Sequence, residues 1–142
     1  LREIGVTVKL QLLQFAQHLD NIDAGRSDFY RLGWNADYPD PETFLNLFYG
    51  KNVPSNPKDV SPINSFRYVN PEYDALFEKA IATVDIAERN KLYEQAEQLA
   101  VNDAVCLFIY YDEDWRLVQS FVRGFALDPM HRVNMRFTWL DK

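Results

Sequence analysis

With 142 residues the chain is long enough to bury one core and too short for two ordinary domains. A hydrophobic content of 47% and a charged content of 25% place it among globular chains, not disordered or collagen-like ones. The net charge of −6 and pI near 4.8 argue against a nucleic-acid partner, which would need clustered Lys and Arg to neutralise phosphates.

The opening residues 1–6 show neither an initiator Met nor a signal-peptide pattern, so the sequence reads as an internal start. Val6, Val8 and Leu10 alternate with Thr7, Lys9 and Gln11, the period-two signature of a half-buried strand. Over residues 14–24, Phe15, Leu19 and Ile22 recur at helical spacing, and Gly25 offers a left-handed stop. Residues 28–34 read as a second strand, giving the strand–helix–strand order of a βαβ unit. After a turn region at 35–41, Asp40 followed by Pro41 starts a helix. The carboxylate caps, and proline at the first helical position loses no hydrogen bond. That helix is expected over residues 41–49, stopping at Gly50, and Pro54, Pro57 and Pro62 make residues 51–65 an irregular loop.

Asn70 and Pro71 repeat the cap-plus-proline start and open a helix to about Val84. Asp85 with Glu88 forms a capping-box pattern for a further helix reaching about Asn102, with Ile86, Leu92, Tyr93, Ala96, Leu99 and Ala100 as its apolar face. Residues 105–111 read as a buried strand that carries the single cysteine, Cys106, as an inert core thiol. Residues 117–122 suggest another short strand, and residues 133–140 end the chain as strand-like sequence. No stretch approaches the roughly 20 apolar residues of a bilayer-spanning helix.

Few residues offer chemistry. His18 and His131 stand far apart, outside any zinc spacing, and no glycine-rich phosphate loop or nucleophile elbow occurs. Asp112, Glu113 and Asp114 lack the alternation of a calcium loop and read as a solvated turn. Asp37, Asp40 and Glu42 cluster at a strand-to-helix turn, where two carboxylates could act as an acid/base pair of the glycosidase kind. Asp40 is better used as a helix cap, however, and Glu42 suits the first turn, where it complements the helix dipole. That leaves Asp37 without a local structural job. It is flanked by Trp34 and Tyr38 at a strand end, where α/β folds place ligands. Such a carboxylate suits a cationic amine, and the rings exclude water and offer their π faces.

The run Arg31-Leu32-Gly33-Trp34-Asn35-Ala36-Asp37-Tyr38, continuing Pro39-Asp40-Pro41-Glu42-Thr43-Phe44-Leu45, resembles the C-terminal lobe of periplasmic oligopeptide- and dipeptide-binding proteins of ABC importers. Asn70-Pro71-Glu72-Tyr73-Asp74-Ala75-Leu76, then Leu92-Tyr93-Glu94-Gln95-Ala96-Glu97, continue the likeness in order, as do Arg116-Leu117-Val118 and Gly124. The resemblance implies an α/β fold, a mixed sheet with flanking helices forming part of the C-terminal lobe. It also implies peptide binding without catalysis, cofactor or metal. By that likeness Asp37 pairs with the peptide's α-ammonium group, Arg31 meets the peptide carboxylate, and Trp34, Asn35, Tyr38 and either Tyr110 or Tyr111 line the site. Asn35 stands where similar binders often carry cysteine, which leaves charge recognition unaltered.

Members of that family are much longer, two-lobed chains. The resemblance therefore divides this one into residues 1–112, a partial ligand-binding lobe, and residues 113–142, a segment that returns to the other lobe. The implied partners are an oligopeptide and a membrane permease. The implied location is periplasmic or otherwise extracytoplasmic, with or without a lipid anchor. Alternatives are another ligand in the same fold (a nickel complex, haem or an oligosaccharide) or a carboxylate-dependent glycosidase. The apolar residues after Glu113 are expected to find cover in a neighbouring copy or opportunistically on their own domain.

Overall fold

The computed structural model describes residues 2–113, 115–128, 130 and 134–141. Its elements in chain order are a 3-10 turn at Arg2–Ile4, α1 (Phe15–Asp23) and α2 (Glu42–Leu45), which runs on into 3-10 turns at Asn46–Phe48 and Gly50–Asn52. The long helices α3 (Pro71–Ala82) and α4 (Ile86–Asn102) follow. A two-residue strand β1 (Val122–Arg123), a 3-10 turn at Met135–Phe137 and a second short strand β2 (Trp139–Leu140) complete them.

The predicted helices form where their caps lie. Gly25 has φ +64 and donates to Ile22, while Arg26 N–H reaches Asn21, so α1 ends in a Schellman motif. The Asn70 side chain accepts from the N–H groups of Glu72 and Tyr73 at the start of α3. The Asp85 carboxylate accepts from Glu88 N–H at 2.8 Å at the start of α4. At the other end of α4, Val105 N–H bonds Ala100 and Ala104 N–H bonds Val101, again a Schellman motif. Here the left-handed residue is Ala104, with φ 51, a conformation that costs an L-residue energy.

The core lies between α3 and α4, which pack against each other as a helical hairpin joined by residues 83–85. Tyr73, Phe77 and Ala80 face Leu92, Tyr93, Ala96 and Ala100, and Leu45 and Phe48 close one end. The rings form a chain. Phe66 stacks on Phe48 with centroids 5.0 Å apart, Phe48 meets Tyr73 edge-on, and Tyr73 and Phe77 lead to Tyr93. Only part of the aromatic content is core, since Phe15, Phe29, Trp115, Phe121 and Trp139 among others are exposed. Tyr68 and Asn70 both donate to the Asp103 carboxylate, at 2.6 and 2.9 Å, which ties the start of α3 to the end of α4.

The irregular loop predicted at 51–65 is ordered by two fully buried polar residues. The Asn64 amide donates to the carbonyls of Tyr49 and Tyr68, and its oxygen accepts from Tyr68 N–H. Ser61 donates to the Asn64 carbonyl at 2.8 Å, and its own N–H bonds Asp23, drawing the end of α1 onto the loop. Arg67 donates to the carbonyls of Asp23 and Asp59 at the same junction.

The strand expectations need correction. Residues 6–10, 28–34 and 105–111 are not strands, and among the described residues the one ladder is the antiparallel pair β1–β2, with Val122 opposite Leu140 and Arg123 opposite Trp139. The first strand and the βαβ unit built on it do not form, because among the described residues these stretches pair in no ladder. Val6, Val8 and Leu10 consequently lie exposed. Of the expected buried strand, Val105 and Cys106 pack against the core, whereas Leu107, Phe108, Ile109, Tyr110 and Tyr111 are exposed. Burial pushes the Cys106 thiol pKa up, which favours the inert thiol form. The expected strand at 117–122 shrinks to the β1 pair, and that at 133–140 to β2 after a 3-10 turn. Gly124, at φ +71, lets the chain pass so close to the Phe137 carbonyl that a Cβ would collide with it. Asp114, His131 and Val133, which entered the sequence expectations, lie outside the described residues.

Two substitutions test these anchors. Asn64→Ala leaves the N–H and carbonyl of Tyr68 without these partners, while the Tyr49 carbonyl keeps the Asn52 N–H, and is expected to cost about 2 kcal/mol in urea unfolding. An unchanged midpoint would refute the anchoring role. Ala104→Gly relieves the left-handed strain at the end of α4 and is expected to raise stability by about 0.5–1 kcal/mol in the same measurement.

Candidate functional site

The residues singled out between 31 and 43 run as irregular, largely exposed backbone into the first turn of α2. Trp34 and Tyr38 are 42% and 40% exposed, and Asn35 and Asp37 are exposed as well. Asp37 does have a local structural contact, against the expectation. Its N–H donates to Thr43 Oγ1 at 3.2 Å, and the Thr43 hydroxyl donates to Asp37 Oδ2 at 3.4 Å.

The other two carboxylates take up the roles their positions suggested. Asp40 Oδ1 accepts from Glu42 N–H at 3.0 Å, and its Oδ2 pairs with Arg89 Nη2 on α4 at 2.8 Å. Glu42 accepts a hydrogen bond from the Tyr38 hydroxyl, and this contact with a carboxylate pushes the Tyr38 phenol up to about 12. Asp40 and Glu42 thus each have a structural partner.

A second grouping joins distant parts of the chain. Arg31 donates from Nη2 to the Tyr110 hydroxyl, and its guanidinium carbon lies 5.4 Å from the centre of the Tyr110 ring. Tyr111 is 99% exposed, so of the two candidate tyrosines Tyr110 is the one beside Arg31. The Arg31 carbonyl lies 2.9 Å from His18 Nε2 on α1, a structural contact for that histidine. Among the described residues no cluster of three or more His, Cys, Asp or Glu side chains is placed to hold a metal ion. No helix of the described residues is long and apolar enough to cross a membrane.

The sequence singles out Asp37, Trp34, Tyr38 and Arg31 as candidates but gives no sign of Thr43, which bonds Asp37, or of Arg89, which pairs with Asp40. Thr43 carries no motif, and only its place in the first turn of α2 beside Asp37 gives it a role. Arg89 lies on another helix, in a segment that reads as an ordinary charged face, and nothing in spacing links it to Asp40. The pair is partly buried, with 29% and 21% of the two side chains exposed. Arg89→Ala is therefore expected to cost about 1–2 kcal/mol, between surface and buried pairs. A double-mutant cycle with Asp40→Ala showing no coupling would refute that link.

Comparison with known proteins gives a consistent result. Residues 1–56 match the family described as bacterial extracellular solute-binding proteins, family 5 Middle. The chain is 33% identical over 138 residues to the periplasmic oligopeptide-binding protein OppA of Haemophilus influenzae, covering 96% of this chain and 24% of that one. It is 32% identical over 142 residues to the protein of the same name from Escherichia coli, covering 99% of this chain and 24% of the relative. Among solved structures, the open, unliganded form of the periplasmic murein tripeptide-binding protein MppA superposes with a TM-score of 0.70 at 27% identity. That match covers 98% of this chain and 25% of the MppA chain. The backbone course is thus that of part of a periplasmic-binding-protein lobe, the α/β architecture expected, although the described residues carry little of its sheet. The chain spans about a quarter of the length of the curated relatives it matches. Residues 1–56 thus match family 5 of the bacterial extracellular solute-binding proteins, and the similarity to periplasmic oligopeptide-binding relatives and to the MppA fold continues along nearly the whole chain.

Proposed function

We propose that this chain forms the part of an oligopeptide-binding protein that holds the ligand's α-ammonium group, within a two-lobed protein that feeds an ABC importer and performs no chemistry. The observation that carries this reading is the exposed Asp37 carboxylate, held beside the entry to α2 in a stretch with half-exposed Trp34 and Tyr38, on a chain whose residues 1–56 match this family. A carboxylate gives an ammonium group charge-assisted hydrogen bonds, and aromatic faces beside it add cation–π attraction. Arg31, resting on Tyr110, is the candidate for the ligand's carboxylate end, and Asn35 completes the lining. Contacts to termini and main chain tolerate varied side chains, as a peptide importer requires.

The relatives' names, which describe periplasmic binding proteins, support an extracytoplasmic location, and a membrane permease is the partner this reading assigns. A lipid anchor is compatible with that placement. The commitment of Asp40 and Glu42 to structural partners supports binding over hydrolysis. In this reading residues 1–112 belong to the ligand-binding lobe and residues 113–142 return to the other lobe. There the exposed Trp115, Leu117, Phe121 and Trp139 find their cover, or in its absence find it in a second copy.

The test is calorimetry on the two-lobed protein. Asp37→Ala is expected to weaken binding of a free-amine peptide by about 3–5 kcal/mol, the cost of removing one partner of a desolvated ion pair. Unchanged affinity would overturn the assignment.

A further inference from the structure

We infer that Thr43 is a positioning residue: its hydroxyl sets the direction of the Asp37 carboxylate, and so the affinity for a ligand ammonium group, without touching the ligand. The inference rests on the function proposed above.

Thr43 is 4% exposed and sits in the first turn of α2, with its N–H bonded to the Asp40 carbonyl at 3.3 Å. Its backbone is fixed by the helix, and a β-branched side chain has few rotamers there. A hydroxyl buried at such a place needs a partner, and the partner it has is Asp37. One oxygen receives the Asp37 N–H at 3.2 Å and gives its proton to Asp37 Oδ2 at 3.4 Å. The small ring that results restrains both the backbone and the side chain of an otherwise exposed aspartate. By narrowing the rotamers of Asp37, this hydroxyl lowers the ordering that ligand binding must supply. The base of the device is held in turn, because Asp40 caps Glu42 N–H and pairs with Arg89 on α4. The direction of the carboxylate is thus referred back to the helical core through one buried hydroxyl.

The discriminating pair is Thr43→Ala against Thr43→Ser in the two-lobed protein, with trialanine as the calorimetric probe and Asp37→Ala run alongside. Thr43→Ala is expected to weaken trialanine binding about three- to tenfold, whereas Thr43→Ser stays within about twofold of the unsubstituted protein. If Thr43 served packing alone, serine, which also lacks the methyl group, would behave like alanine. That result, or no loss in Thr43→Ala while Asp37→Ala does lose affinity, overturns this inference and leaves the parent reading standing. No loss in Asp37→Ala overturns the parent reading, and this inference falls with it. Should the alanine variant fail to fold, Thr43→Val keeps the volume, removes the hydroxyl and is expected to show the same three- to tenfold loss.

Discussion

The structure turns on Tyr73. Its ring is fully buried on α3, edge-on to Phe48 and Tyr68 and stacked toward Phe77, so it joins three of the aromatic groups of the core. Its hydroxyl donates to the Leu45 carbonyl at 2.7 Å, satisfying the end of α2 inside the core. A buried hydroxyl or carbonyl left without its partner would cost about 1–3 kcal/mol, so ring packing and hydrogen bond demand the same placement of α2. Burial also pushes the phenol pKa well up, which keeps the group a neutral donor under all ordinary conditions. Because α2 is fixed there, Thr43 and Asp40 at its start are fixed too, and with them the segment that presents Asp37.

Two kinds of anchoring meet at that segment. Apolar packing places α2 against α3 and α4, and a short polar relay then carries the placement outward from Arg89 to Asp40 and from Thr43 to Asp37. Rigid framework and exposed tip is the arrangement a binding site needs, since the tip must reach solvent while its direction is set by elements that do not move. The aromatic residues divide along the same line. Phe48, Phe66, Tyr73, Phe77 and Tyr93 make the interior, whereas Trp34, Tyr38 and Tyr110 stand out toward solvent beside the charged groups.

The extended stretches tell the complementary half of the physics. Val8, Leu10, Phe108, Ile109 and Leu117 all face solvent, and at about 25 cal/mol per Å² their exposure is a substantial cost. A strand gains its stability from the ladder beside it and the layer across it, and among the described residues these stretches pair in no ladder. The single β1–β2 pair survives because Gly124 permits the tight approach to Phe137 that brings its two strands together. The MppA likeness over a quarter of that longer chain fits a sequence written for a larger lobe.

Local chemistry made the helices legible from sequence alone. Asn70 before Pro71, Asp85 three residues before Glu88, and Gly25 after a periodic run each state a cap whose partners lie within a few residues, so no tertiary information is needed. The order of motifs from Arg31 to Asp37 likewise marked the candidate site. Tertiary structure alone decided what those motifs rest on. Asn64 looked like loop sequence and proved a buried anchor, Thr43 and Arg89 carried no pattern at all, and the contact of Arg31 with Tyr110 joins stretches far apart in sequence. It also decided against the strands, because alternation of apolar residues records a face to be buried but not whether a partner stands there to bury it.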